Sequence, residues 1–292
     1  MGSSLGSLCL EALRAPAGVA LAMRPLDPET LRARAPKLLT TGDTLDFRTL
    51  VPQPGGLFDY KVFGPGTVID APAVDLDAPA RPPKTQFARL ALAAPVPHPL
   101  AIAHAPSALA ALAGWSTHEV LGCRLAATDA RASAATLLAP DSPAARIAEL
   151  ARALDASADG RALVLRELPI LPPDLRPLVR LADDRWQTSP INELYRNVFR
   201  RNQRLAKTLE SGPAEAVAGE LAALASALEH LFENEDTSDP LRDVHGETLT
   251  SLRGLAGDSS ALFAALRAAS ANTGRSHRAT SILFALGFEL VP

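Results

Sequence analysis

Between Ser189 and Glu233 the apolar positions recur at helical spacing. Ile191, Leu194, Tyr195, Val198, Phe199, Leu205 and Leu209 form one stripe. Val217, Leu221, Leu224, Leu228 and Leu231 form a second, stepping alternately by four and three as the seam of a helix pair does. Ser189-Pro190 suits a helix start, and Ser211-Gly212-Pro213 suits a break between two helices. The pattern therefore predicts an antiparallel helical hairpin over 189–233, protruding from the rest. Residues 1–40 read as helical, with Leu5 to Met23 amphipathic and Asp27-Pro28-Glu29 opening a further helix. Over 41–99 the period is lost. Pro52, Pro54, Gly55, Gly56, Gly64 and Pro65 separate short apolar runs, and strands are expected at Leu57 to Phe63 and Phe87 to Ala93. Residues 100–155 return to helix. Within 161–187 a short strand, Ala162 to Leu165, precedes a segment in which Pro169, Pro172, Pro173 and Pro177 hold the chain extended without regular pairing. The fold class is α+β, mainly helical, in a single domain over 1–292.

Composition narrows the function. The 29 Lys+Arg against 32 Asp+Glu leave a net charge of −3, whereas a stand-alone, nonspecific DNA binder is strongly basic. The two cysteines, Cys9 and Cys123, are too few for a disulfide framework or a four-cysteine zinc site. No apolar run approaches a bilayer span, so the expectation is a soluble, cytoplasmic protein without membrane contact. The 25 prolines and scarce aromatics point to irregular extended segments between helices.

Catalytic signals are weak. Gly2-Ser3-Ser4-Leu5-Gly6 fits the letters of a nucleophile elbow but follows no strand. The six histidines lack metal-ligand spacing, and the acidic clusters Asp75/Asp77, Asp183/Asp184 and Glu235/Asp236/Asp239 lack a calcium-loop pattern. No catalytic residue, metal or cofactor is expected. Arg196, Arg200, Arg204 and Lys207, with Arg201 nearby, share roughly one side of the first hairpin helix. Such a row is either a solvated charged face or a docking surface for an acidic partner or a phosphate backbone, and spacing alone leaves both open.

One run gives the chain a family likeness. Glu167-Leu168-Pro169-Ile170-Leu171-Pro172-Pro173-Asp174-Leu175-Arg176-Pro177-Leu178-Val179 resembles the lid-region segment of the bacterial DNA-directed RNA polymerase β′ subunit, in its N-terminal clamp region. Arg185-Trp186-Gln187-Thr188-Ser189, Asn192-Glu193-Leu194-Tyr195-Arg196, Arg201-Asn202-Gln203-Arg204-Leu205 and Leu231-Phe232-Glu233-Asn234 follow in the family's order. Upstream, Asp46-Phe47-Arg48-Thr49, Gly56-Leu57-Phe58 through Gly64-Pro65, and Leu90 to His98 are similar to β′ segments. Leu249 to Leu252 and Gly274-Arg275-Ser276 are fainter echoes of its switch region.

The resemblance implies a reduced clamp with short strands at its base and a hairpin that, in the family, docks the sigma factor. It implies partner-binding roles for Tyr195, Arg196, Arg200, Arg201 and Arg204, and positions near nucleic acid for Asp174, Arg176 and Arg275. The family's zinc ribbon is missing between Gly66 and Gln86, and its catalytic aspartate loop is not in this sequence. The expected function is therefore a stand-alone interaction module in transcription, engaging sigma factor or RNA polymerase core subunits, with DNA or RNA contact only within a complex. The alternatives are the clamp fragment of a split polymerase and a decoy that sequesters a polymerase-targeting factor. Enzyme activity would require another chain to supply the aspartates.

Overall fold

The computed structural model describes residues 13–14, 20–46, 48–49, 51–64, 68–70, 86–124, 142–180, 186–256 and 274–291. The two ends of the chain meet. Strand Ala20–Pro25 lies between Leu13–Arg14 and Phe288–Val291, antiparallel to both, with Phe288 opposite Pro25 and Val291 opposite Ala22. This corrects the expectation of helix over Ala20–Pro25: among the described residues of 1–40 only Pro28–Arg34 is helical, capped by the Asp27 carboxylate, which accepts the Glu29 and Thr30 N–H groups. The first part of the expected amphipathic helix, Leu5 to Ala12, lies outside the described residues.

A second sheet carries the molecule's centre. The long strand Ala88–Pro97 pairs in parallel with Lys37–Leu38 and antiparallel with Val164–Ile170. Its ladder shifts register between Ala91 and Val96. Val164–Ile170 runs past the predicted strand end, and Pro169 sits in the ladder opposite Arg89, so the proline-rich run is paired over its first part. Its last part pairs too: Leu178–Arg180 lies between Val68–Asp70 and Trp186–Thr188. Leu57 to Phe63 is a turn rather than a strand. Asp59 accepts the Lys61 N–H and starts a single helical turn, Tyr60–Phe63.

Two long helices dominate, Ile191–Ser211 and Ala214–Glu233, called here the arginine helix and the alanine helix. They pack along each other. Gly212 separates them because a side chain there would collide with Thr208, whose carbonyl accepts the Gly212 N–H at 2.7 Å. Their inner portions are core. Leu194, Tyr195, Val198, Phe199, Leu224, Leu228, Leu231 and Phe232 are buried, each large side chain contributing roughly 2 kcal/mol. From Leu221 to Asn234 nearly every alanine-helix residue is buried, whichever side of the helix it occupies. Ala222, Ala223, Ala225 and Ala227 are thus small because neighbours close in from several directions, Pro99–His104 and Pro143–Asp155 among them. The outer turns differ. Leu209, assigned to the apolar seam, is 49% exposed, and residues 214–220 are half-buried or exposed. Among the described residues no helix is long and apolar enough to cross a membrane.

Candidate docking surface

The arginine helix is held at its root by polar side chains that point inward. Arg176, which caps the 3-10 turn Pro173–Leu175 within the proline run, has no exposed surface. Its guanidinium donates to the Leu171 carbonyl at 2.7 Å, the Leu57 carbonyl at 2.6 Å and Asn192 Oδ1 at 3.1 Å. Phe58, Phe63 and Tyr195 present rings 5.0, 5.3 and 5.9 Å from it. Burial lowers its pKa to about 10, for the charge is met by carbonyl dipoles and ring faces. Asn192 completes the exchange, donating to the Arg176 carbonyl at 3.0 Å and to Thr188 Oγ1 at 2.7 Å. Tyr195 is buried as well. Its hydroxyl accepts the Leu171 N–H at 3.3 Å, and burial pushes its pKa up to about 12.

Three helical turns on from Asn192, Asn202 does the same work at the sheet. Its Oδ1 accepts the Ala93 N–H at 2.7 Å and its Nδ2 donates to the Ala91 carbonyl at 2.9 Å. On the edge where the Arg89 carbonyl accepts the Leu39 N–H, these backbone groups lie beyond the end of the short strand Lys37–Leu38. Gln203 donates to the Thr40 carbonyl at 2.9 Å. Beside it the helix touches Gly42 so closely that a Cβ there would stand 2.9 Å from Arg196 Cα. Glycine is required at 42 by that approach.

The outward side follows from this anchoring. Arg196 is half-buried and bonds Glu193 at 2.8 Å one turn back. Arg200 and Arg204 are exposed and Arg201 is half-buried. Among the described residues none of these three, nor Lys207, has a carboxylate partner. The helix therefore presents a row of unneutralised cations on a root that cannot rotate.

The far end of the alanine helix is pinned similarly. Asn234 donates to the carbonyls of Leu241 at 2.9 Å and Leu249 at 2.7 Å, and accepts the Leu241 N–H at 2.8 Å. Buried Glu233 bonds His104 and, at 2.8 Å, Arg253. Burial works against its charge, but His104 and Arg253 outweigh it and hold the carboxyl below the usual range.

The structure thus divides the residues singled out from sequence. It gathers Arg196, Arg200, Arg201 and Arg204 on one helix, with Tyr195 beneath them. Tyr195 and Arg176 have no surface to offer, so they position the helix rather than touch a partner. Asp174 is exposed on the proline turn, and Arg275 lies on helix Gly274–Ala285, its side chain outside the described residues. Asn192, Asn202 and Asn234 escaped the sequence reading as site residues. Their signal was an amide in step with the apolar stripes, three or four residues from Tyr195, Val198 and Leu231, a position that demands buried partners. Among the described residues no three His, Cys, Asp or Glu side chains gather as a metal site.

Comparison with known proteins covers the region just described. Residues 149–256 match the family model of RNA polymerase Rpb1, domain 1. The DNA-directed RNA polymerase subunit beta' of Mycoplasma capricolum is 41% identical over 91 residues, 31% of this chain and 7% of that protein. The same subunit of Bifidobacterium adolescentis is 40% identical over 92 residues, and that of Streptococcus thermophilus 43% over 91. The chain spans less than a tenth of the length of these relatives. Residues 149–256, which hold the buried Arg176 and both long helices, are thus similar to RNA polymerase Rpb1 domain 1 and to the polymerase β′ subunit.

Proposed function

We propose that this chain is a transcription-linked interaction module that docks sigma factor or RNA polymerase core subunits through the outward face of the arginine helix. The observation that carries this is the row Arg200, Arg201, Arg204 and Lys207. It is free of intramolecular carboxylates among the described residues and is mounted on a helix fixed by Asn192 and Asn202. A merely solvated face needs no such rigid mounting, whereas a preorganised one spares the cost of ordering on binding. The likeness to polymerase subunits supplies the kind of partner. Arg196, tied to Glu193, borders the row. Asp174 and Arg275 are the positions assigned to nucleic acid when the module sits within a complex.

The test is binding of the full chain to purified sigma factor and to purified core polymerase, by fluorescence anisotropy. Arg200→Glu with Arg204→Glu should weaken binding at least about ten-fold, through loss of complementary charge, with an unchanged circular dichroism spectrum. Raising salt from 0.1 to 0.5 M should weaken the unaltered protein in the same direction. Equal affinities for the altered and unaltered proteins would refute the reading.

A further inference from the structure

The cations of the arginine helix do not stand alone. A continuous chain of contacts leads from that helix to a second basic, partly apolar surface. Gln203 bonds the Thr40 carbonyl, and the Thr40 N–H bonds the Gly55 carbonyl at 2.9 Å. The Gly55 N–H in turn bonds the Asp59 carboxylate at 2.6 Å. Asp59 begins the helical turn that carries Tyr60 and Lys61, and the Lys37 ammonium donates to the Lys61 carbonyl. Along this path Leu38 is 47% exposed and Tyr60 43% exposed, beside Lys37 and Lys61. Asp59 is buried, with its oxygens on backbone N–H groups, so it neutralises little at the surface. The exposed acid nearby, Asp43, is held by the Thr41 hydroxyl at 2.7 Å.

We infer that Lys37, Leu38, Tyr60 and Lys61 extend the arginine-helix surface into one docking face, and that its occupant is an acidic polypeptide segment carrying apolar side chains. This rests on the proposed docking role of the arginine helix and names the chemistry of the partner. Charge complementarity requires an anionic occupant. Leu38 is aliphatic and offers a protein side chain an apolar contact that a phosphate backbone cannot make. Lysines flanking a leucine and a tyrosine fit a segment that alternates carboxylates with apolar residues.

Photo-crosslinking tests this in the cells that make the protein. The full chain carries p-benzoylphenylalanine at position 38 in one sample and at position 204 in another, and captured peptides are identified by mass spectrometry. The expected result is one partner protein at both positions, joined through a segment rich in Asp or Glu with apolar residues. Lys37→Glu with Lys61→Glu should lower capture from position 204 at least about ten-fold, while Arg152→Glu, an exposed change on helix Pro143–Asp155, leaves it unchanged. Capture from 204 alone would overturn the extended face and leave the arginine-helix reading standing. Capture of nucleic acid, or of a basic segment, at position 38 would overturn the assigned chemistry. Capture at neither position would overturn both.

Discussion

Replacing Arg176 with methionine tests the central packing argument. Methionine keeps much of the length and apolar volume but removes all donors, stranding the Leu57 and Leu171 carbonyls and Asn192 Oδ1 in a site with no exposed surface. Each buried acceptor left without a donor costs about 1–3 kcal/mol, so three cost roughly 6. Against this stands the cost the native protein bears for a buried cation. The fall of the Arg176 pKa from 12.5 to about 10 corresponds to roughly 3 kcal/mol. The balance is a loss of about 3 kcal/mol, a large part of a typical folding free energy. Followed by circular dichroism in urea, Arg176→Met should lower the midpoint by about 1 M without changing the slope. Arg176→Lys should fall between, because an ammonium cannot span three acceptors arranged for a planar fork. A cycle with Asn192→Leu should show coupling of about 1 kcal/mol or more. A methionine variant whose midpoint lies within about 0.2 M of the unaltered protein would refute the reasoning, since the carbonyls would then have found other donors at no cost.

Three further outcomes are expected. Buried His98 donates from Nε2 to the Leu286 carbonyl at 2.8 Å, and burial lowers its pKa to about 4. The unfolded chain, titrating near 6.5, thus binds the proton first, and stability present above pH 6.5 is lost as pH falls toward 4, by roughly 3 kcal/mol. His98→Gln, which keeps a donor for Leu286, should flatten this part of the urea-midpoint profile, and parallel profiles would count against the assignment. Gly42→Ala should cost about 1–3 kcal/mol, because the new Cβ meets helix backbone at 2.9 Å; an unchanged melting temperature would show that the helix can retreat. Asn234→Ala should expose the amides of 237–249 to faster hydrogen exchange while leaving those of the alanine helix protected, and uniform exchange would deny Asn234 its pinning role.

Legibility in the sequence tracked the range of the interactions. The two long helices lie close to where spacing placed them, because helix bonds, the break at Gly212 and the apolar stripes are all local. Ala20–Pro25 read as helix because its deciding partner, Phe288–Val291, lies at the other end of the chain. Leu57 to Phe63 read as a strand because it is a short apolar run between glycines, and the capping carboxylate of Asp59 turns it into a helical turn instead. Leu209 fitted the seam's period but lies beyond the end of the core that period served. The arginine row was legible from four-residue spacing. Arg176 was not, since its acceptors come from residues 57, 171 and 192 and meet only when the chain is folded. A motif showed that the position mattered without showing that it faces inward.

The amide of Asn202 bears on mechanics. By taking the place of a missing strand partner at Ala91 and Ala93, it clamps the arginine helix to the sheet, with Gln203 gripping Thr40 beside it. The nine residues from there to Ser211 make a cantilever of roughly 13 Å, too short to flex much under thermal load. A load applied at its tip is delivered as torque on the strand Ala88–Pro97, whose opposite edge is bonded to the proline run that houses Arg176. Whatever grips the outer turns therefore pulls on a lever whose fulcrum is a single asparagine.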